Sequence, residues 1–119
     1  SRGKIEITMM RSSLLACLAI PALSFGAVDF QKEIAPVLES RCLACHGEKQ
    51  QMKNLRLDQA AGVASVKDHL VERITSLKAG FRMPPVGAPL TEAQVASFKA
   101  WVAEGAPFPA SYRAAAAKA

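Results

Sequence analysis

The sequence has no run of four basic residues and no internal repeat, and aromatic residues make up only 6% of it. The aromatics do not interleave with basic side chains, so a nucleic-acid-binding surface is not indicated, despite a net charge of +5. No apolar run is long enough for a transmembrane helix; Leu14 to Phe25 is short and is broken by Pro21. Potential metal ligands are also scarce, with 3 cysteines and 2 histidines. A chain of 119 residues has room for one domain and little more.

What stands near the start is a leader pattern. Met9 or Met10 precedes Arg11, then an apolar run, then small residues at Ser24 and Gly26. Residues 1–26 therefore read as a secretory signal peptide, cleaved after Gly26 or, with Ala22 at the −3 position, after Ser24. An uncleaved anchor is the alternative. Residues 1–8 sit outside this pattern, as an overextended start or non-native residues. Cys17 follows only three apolar residues, Leu14-Leu-Ala, so it does not fit a lipidation site and leaves with the signal. Losing residues 1–26 removes Arg2, Lys4, Arg11 and Glu6, which leaves 93 residues, a charge of +3 and two cysteines. A domain of that size has a thin core and often needs a staple, a metal or a cofactor.

The rest of the sequence predicts a small all-α protein. Asp29 caps a helix beginning near Phe30 and stopping near Arg41, with Phe30, Ile34, Val37 and Leu38 on one face. Pro36 predicts a kink, or a start delayed to Ala35. Gly47 to Leu57 reads as a loop whose Leu55 and Leu57 dock on the core. Gln59 to Ala64 reads as a linker broken by Gly62. A second helix is expected over Val66 to Leu77, capped by Ser65, with Val66, Leu70, Ile74 and Leu77 on its face. Pro84, Pro85 and Pro89 exclude helix from Phe81 to Leu90. A third helix opens with the capping box Thr91-Glu-Ala-Gln94 and buries Val95, Phe98, Trp101 and Val102 before Gly105 closes it. Residues 110–119 read as an Ala-rich tail or the start of a linker, with nothing large to bury.

Cys42-Leu-Ala-Cys45-His46 is the strongest chemical signal. In a secreted chain, C-x-x-C-H points to covalent attachment of one haem c. Two thiols at this spacing can reach the two vinyl groups on one porphyrin edge, and the next residue supplies an imidazole to the iron. Three alternatives use the same cysteines. A thioredoxin-like dithiol lacks a preceding strand. A zinc site would need His69, 23 residues beyond His46, which is poor spacing. A plain disulfide leaves His46 without a role.

Met83 is the preferred second iron ligand. It lies 37 residues after His46 and is stiffened by Pro84 and Pro85. Met52 sits in a polar loop, and His69 reads as a surface or boundary residue. Arg56 and Arg82, ahead of Arg41 and Lys53, are candidate partners for the haem propionates. Trp101 is expected to pack with Phe98 and Phe30, and to touch the haem rim or donate its N–H to a propionate.

Taken in order, these segments resemble a class I c-type cytochrome, and more closely a planctomycete-type cytochrome c domain. The resemblance rests on Pro36-Val-Leu-Glu-Ser-Arg-Cys-Leu-Ala-Cys-His-Gly47, on Leu55-Arg-Leu-Asp58, on Arg82-Met-Pro-Pro85, and on Leu90-Thr-Glu-Ala-Gln94 with Trp101-Val-Ala-Glu-Gly-Ala106. It spans residues 29–109 and implies three main helices around one haem. It also implies Cys42 and Cys45 as thioether cysteines, His46 as proximal ligand and Met83 as distal ligand. The segment Gln59 to Lys67 is shorter than that family's usual Gly-rich stretch, which implies a more exposed haem edge.

The function expected from this is single-electron transfer in the periplasm or another extracytoplasmic space, without enzymatic turnover. Two propionates would bring the charge from +3 to about +1. Partners would be transient redox proteins, or a larger fused or associated enzyme, with no nucleic acid and no membrane insertion after the signal is removed. Two rivals stand beside it. One is a peroxidase-like haem enzyme or sensor with an open or displaceable sixth site. The other is a haem-free helical module stapled by a disulfide.

Overall fold

The computed structural model describes residues 27–114, so the signal reading of residues 1–26 lies outside it. Asp29 caps the first helix, its carboxylate accepting the Lys32 N–H at 3.1 Å. Glu33 reaches back to accept the Asp29 N–H at 2.9 Å. Together these bonds satisfy donors that the first turn would leave open.

Helix α1 runs through three pieces: a π-wound Phe30–Ile34, an α-helical Ala35–Val37 and a π-wound Leu38–Cys42. Pro36 sits in the middle piece and explains the winding. It has no N–H to offer the preceding turn, and its ring crowds that turn. The ladder widens on both sides, with Ala35 N–H donating to Phe30 O and Leu43 N–H to Leu38 O. The strain expected at Pro36 is thus spread over two wide turns, and the start is not delayed. Phe30, Ile34, Val37 and Leu38 are all buried, as their spacing predicts.

Helix α2 spans Ala60–Thr75, six residues earlier at its start than the sequence predicts. Gly62 is the reason. A Cβ there would overlap the backbone carbonyl of Arg56, so this glycine permits a close approach rather than breaking a helix. Ser65 is no cap; its hydroxyl donates to Gly62 O at 2.7 Å inside the helix. Val63, Leu70 and Ile74 form the buried stripe. Leu77 lies past the helix end and is 93% exposed, against the expected buried position. A Gly62→Ala change should lower unfolding stability by about 1–3 kcal/mol, because the first turn must back away from Arg56. An unchanged urea midpoint would show that α2 can reseat without loss.

Helix α3 spans Glu92–Ala103 and carries the predicted capping box. Gln94 N–H donates to the Thr91 hydroxyl at 3.1 Å, and Thr91 N–H donates to the Gln94 side-chain oxygen at 2.9 Å. At the far end Gly105 adopts φ +95, where Gly has no steric penalty. Ala106 N–H then bonds to Trp101 O and Gly105 N–H to Val102 O, both at 2.9 Å.

An aromatic cluster joins α1, α3 and the chain after α3, and Val63, Leu70 and Ile74 of α2 belong to the same core. Trp101 lies 5.9 Å from Phe30 and 5.7 Å from Phe98, centroid to centroid. Phe108 and Tyr112 complete it, at 5.1 Å and 5.2 Å from Phe30. Tyr112 corrects the expectation that residues 110–119 bury nothing large, since it is buried in this cluster. Its hydroxyl donates to Glu39 at 2.6 Å, tying the chain after α3 back to α1. Burial, and then that bond, push the phenol well above its ordinary pKa. Among the described residues there is no β-strand, only an isolated bridge between His46 and Gln51. The fold is all-α with three main helices.

Candidate functional site

Helix α1 ends at Cys42, and the next turn places the rest of the motif. Cys45 and His46 both donate their N–H groups to Cys42 O, at 3.3 Å and 3.0 Å. The chain then doubles back, with Gly47 N–H bonded to Gln50 O, Met52 N–H to Cys45 O and Leu57 N–H to His46 O. Gly47 is required there, because a Cβ would strike the Leu43 carbonyl.

This return strand of loop also orients the imidazole. His46 Nδ1 lies 3.1 Å from the carbonyl oxygen of Met52. A carbonyl can only accept, so the proton is assigned to Nδ1, and Nε2 keeps its lone pair. That is the arrangement by which second partners prepare a histidine to ligate a metal. Met52 contributes its backbone here, and its side chain is 48% exposed.

A cavity of about 550 Å³ opens between the end of α1, residues 53–57, α2 and residues 81–84. Its size is within the range of small-molecule and cofactor sites. Cys42, His46 and Met83 all line it. Leu55, Leu57, Val66, Leu70, Ile74 and Phe81 make most of the wall apolar. Arg41, Lys53, His69 and Arg73 add polar atoms to the same space. Lys53 and Asn54 hold left-handed backbone, φ 59 and φ 56, in the turn at its edge.

The two thiols are free. Burial pushes the Cys42 thiol up to about 12, with Arg41 opposing and Cys45 adding to the shift. Cys42 is therefore protonated at neutral pH and a poor partner for thiol exchange. Cys45 is half-buried and is not part of the cavity wall. A Cys42–Cys45 bridge would close one turn and join no two helices, so it could do little as a staple.

Met83 sits in a tethered loop. Its N–H donates to Arg73 O on α2 at 2.9 Å. Arg82 donates to Pro84 O at 3.2 Å and to Gly87 O at 2.8 Å. Arg41 crosses from α1 to Ala88 O at 2.5 Å.

The structure brings Cys42, His46 and Met83 together and leaves Arg56, Arg82 and Trp101 off the cavity wall. Arg56 is paired with Asp58 through two bonds, 3.0 Å and 2.6 Å, and this bond holds the Asp58 carboxyl below the usual range. Arg82 folds onto its own loop. Trp101 is fully buried and donates its indole N–H to Pro107 O at 2.8 Å, so that donor is spent inside the core. Sequence reasoning passed over Arg73. Its signal was its place seven residues after Val66 on one helical stripe, which a surface arginine also satisfies. His69 faces the cavity although exposed.

Among the described residues, no three His, Cys, Asp or Glu side chains gather closely enough to hold a metal ion, so a two-Cys, two-His zinc site is not formed. No helix among them is long and apolar enough to cross a membrane. Residues 42–87 match the family described as Planctomycete cytochrome C, a partial match covering less than half the chain. No curated protein and no solved structure matches it.

Proposed function

We propose that this protein is a single-electron carrier with one covalently attached haem c. In this reading Cys42 and Cys45 would anchor the haem through thioethers, and His46 and Met83 would ligate its iron. The observation that carries it is one largely apolar cavity shared by Cys42, His46 and Met83, with His46 Nε2 free. The partial family match runs across the same four residues. The haem, when bound, supplies the Fe(III)/Fe(II) couple.

The chain's own residues have defined tasks in this reading. Cys42 and Cys45 would hold the haem, each thiol adding its sulfur and hydrogen across one vinyl double bond, with no oxidant or reductant needed. The Met52 carbonyl keeps His46 in one tautomer. The leucines, Val66 and Ile74 exclude water. Arg41 and Lys53 offer cations on the cavity wall that suit two propionates, with the Glu72 carboxylate on the same wall. Arg41 spends one donor on the Ala88 carbonyl and keeps others in reserve. Residues 29–109, with the following chain as far as Tyr112 packed on them, form the redox domain, exported by the signal in residues 1–26 and meeting redox partners transiently.

The test is a spectrum of protein matured with c-type assembly machinery, followed by a pyridine haemochrome assay. One covalent haem per chain, and a far-red absorption band in the oxidised protein, are expected. Absence of covalent haem would leave a haem-free helical module. Carbon monoxide binding by the reduced protein would favour an open-site enzyme or sensor.

A further inference from the structure

We propose that Arg73 is a positioning residue that latches the Met83 loop to α2 and so controls how readily Met83 leaves the cavity. The proposal rests on the reading of Met83 as an axial ligand. Arg73 holds the loop in three ways. Its carbonyl accepts the Met83 N–H at 2.9 Å. Its guanidinium donates to Phe81 O at 3.3 Å. The same guanidinium lies over the Phe81 ring, 4.2 Å from the centroid.

The anchor itself is firm. Arg73 is in the last turn of α2, next to buried Ile74 and three residues after buried Leu70. Beside Arg73, the loop is held there by buried Pro84 and by the Phe81 and Arg82 N–H groups, which donate to Lys78 O at 3.1 Å and 3.0 Å. Pro85 to Pro89 are exposed, and Val86 is 77% exposed, so few apolar contacts resist opening. The bonds of Arg82 to Pro84 and Gly87 shape the loop from within and do not tie it to a helix. Arg41 ties the far end, at Ala88. Arg73 is the tie next to Met83.

Removing the guanidinium leaves the Phe81 carbonyl and ring without their partner. The main-chain bond from Met83 survives, so the loop is loosened and not destroyed. An outside ligand can reach the sixth site only when the loop is open, so its apparent affinity scales with the open fraction.

The experiment is an imidazole titration of oxidised holoprotein, followed by the haem absorption, with thermal unfolding recorded alongside. Arg73→Ala should keep covalent haem, weaken the far-red band and bind imidazole about tenfold more tightly than the parent. Arg73→Lys, which keeps a cation near the ring, should fall between them. If Arg73→Ala does not mature, Phe81→Leu removes the ring contact while keeping an apolar side chain on the cavity wall, and should give about a threefold gain. Unchanged imidazole affinity in the variant that matures, even with a lower melting temperature, would reduce Arg73 to a structural residue and overturn the latch. A parent protein without the far-red band would instead overturn the ligand reading, and the latch with it.

Discussion

Replacing both Cys42 and Cys45 by alanine is expected to abolish covalent haem, from one per chain to none. The two thiols are free, so the substitutions break no cross-link. The loss should therefore not be a trivial consequence of unfolding. Phe30, Phe98, Trp101, Phe108 and Tyr112 form a cluster that does not line the cavity. That cluster should survive without the cofactor, and Trp101 should keep its near-ultraviolet circular dichroism. Emptying an apolar cavity of about 550 Å³ should still cost stability, since its walls lose their packing partner. The variant should show helical circular dichroism, a lower melting temperature and no haem stain on a denaturing gel. A stained band at the size of the chain would sink the thioether assignment.

The legible parts of this protein were those governed by local chemistry. The Asp29 cap, the Thr91–Gln94 box and the Gly105 stop each depend on a few neighbouring residues, and each is found as expected. The buried stripe of α1 followed from spacing alone. The errors arose where tertiary contact decided. Gly62 reads as a breaker until the Arg56 carbonyl is placed against it. Tyr112 sits in a segment of poor local preference and is recruited by Phe30 and Glu39 across the fold. Site residues divide the same way. Cys42, His46 and Met83, singled out by the C-x-x-C-H spacing and the Met83-Pro pair, do line one cavity. Arginine carries no such mark, because its donors go wherever carbonyls are left open. Arg82 and Arg56 find partners within a few residues, whereas Arg41 and Arg73 reach the Met83 loop from two helices. The Met52 carbonyl that orients His46 is a backbone group, invisible to any reading of side chains.

Met83→Ala should separate attachment from ligation. Cys42 ends α1, Cys45 and His46 lie in the turn after it, and their geometry is set by bonds among residues 42–57. Met83 is held from the other side, by α2 through Arg73 and by α1 through Arg41 at Ala88. None of the bonds that set the attachment turn involves the Met83 side chain, so the variant should mature with its full covalent haem. Alanine has no donor atom, so the far-red band should vanish completely, and the reduced protein should now bind carbon monoxide. The potential should fall, because a thioether favours the reduced iron. His69 is the other imidazole on the cavity wall besides His46. The double change Met83→Ala, His69→Ala shows whether it enters the vacated position: carbon monoxide binding should be the same in both variants if His69 stays out. A Met83→Ala spectrum identical to the parent's would remove Met83 from the iron.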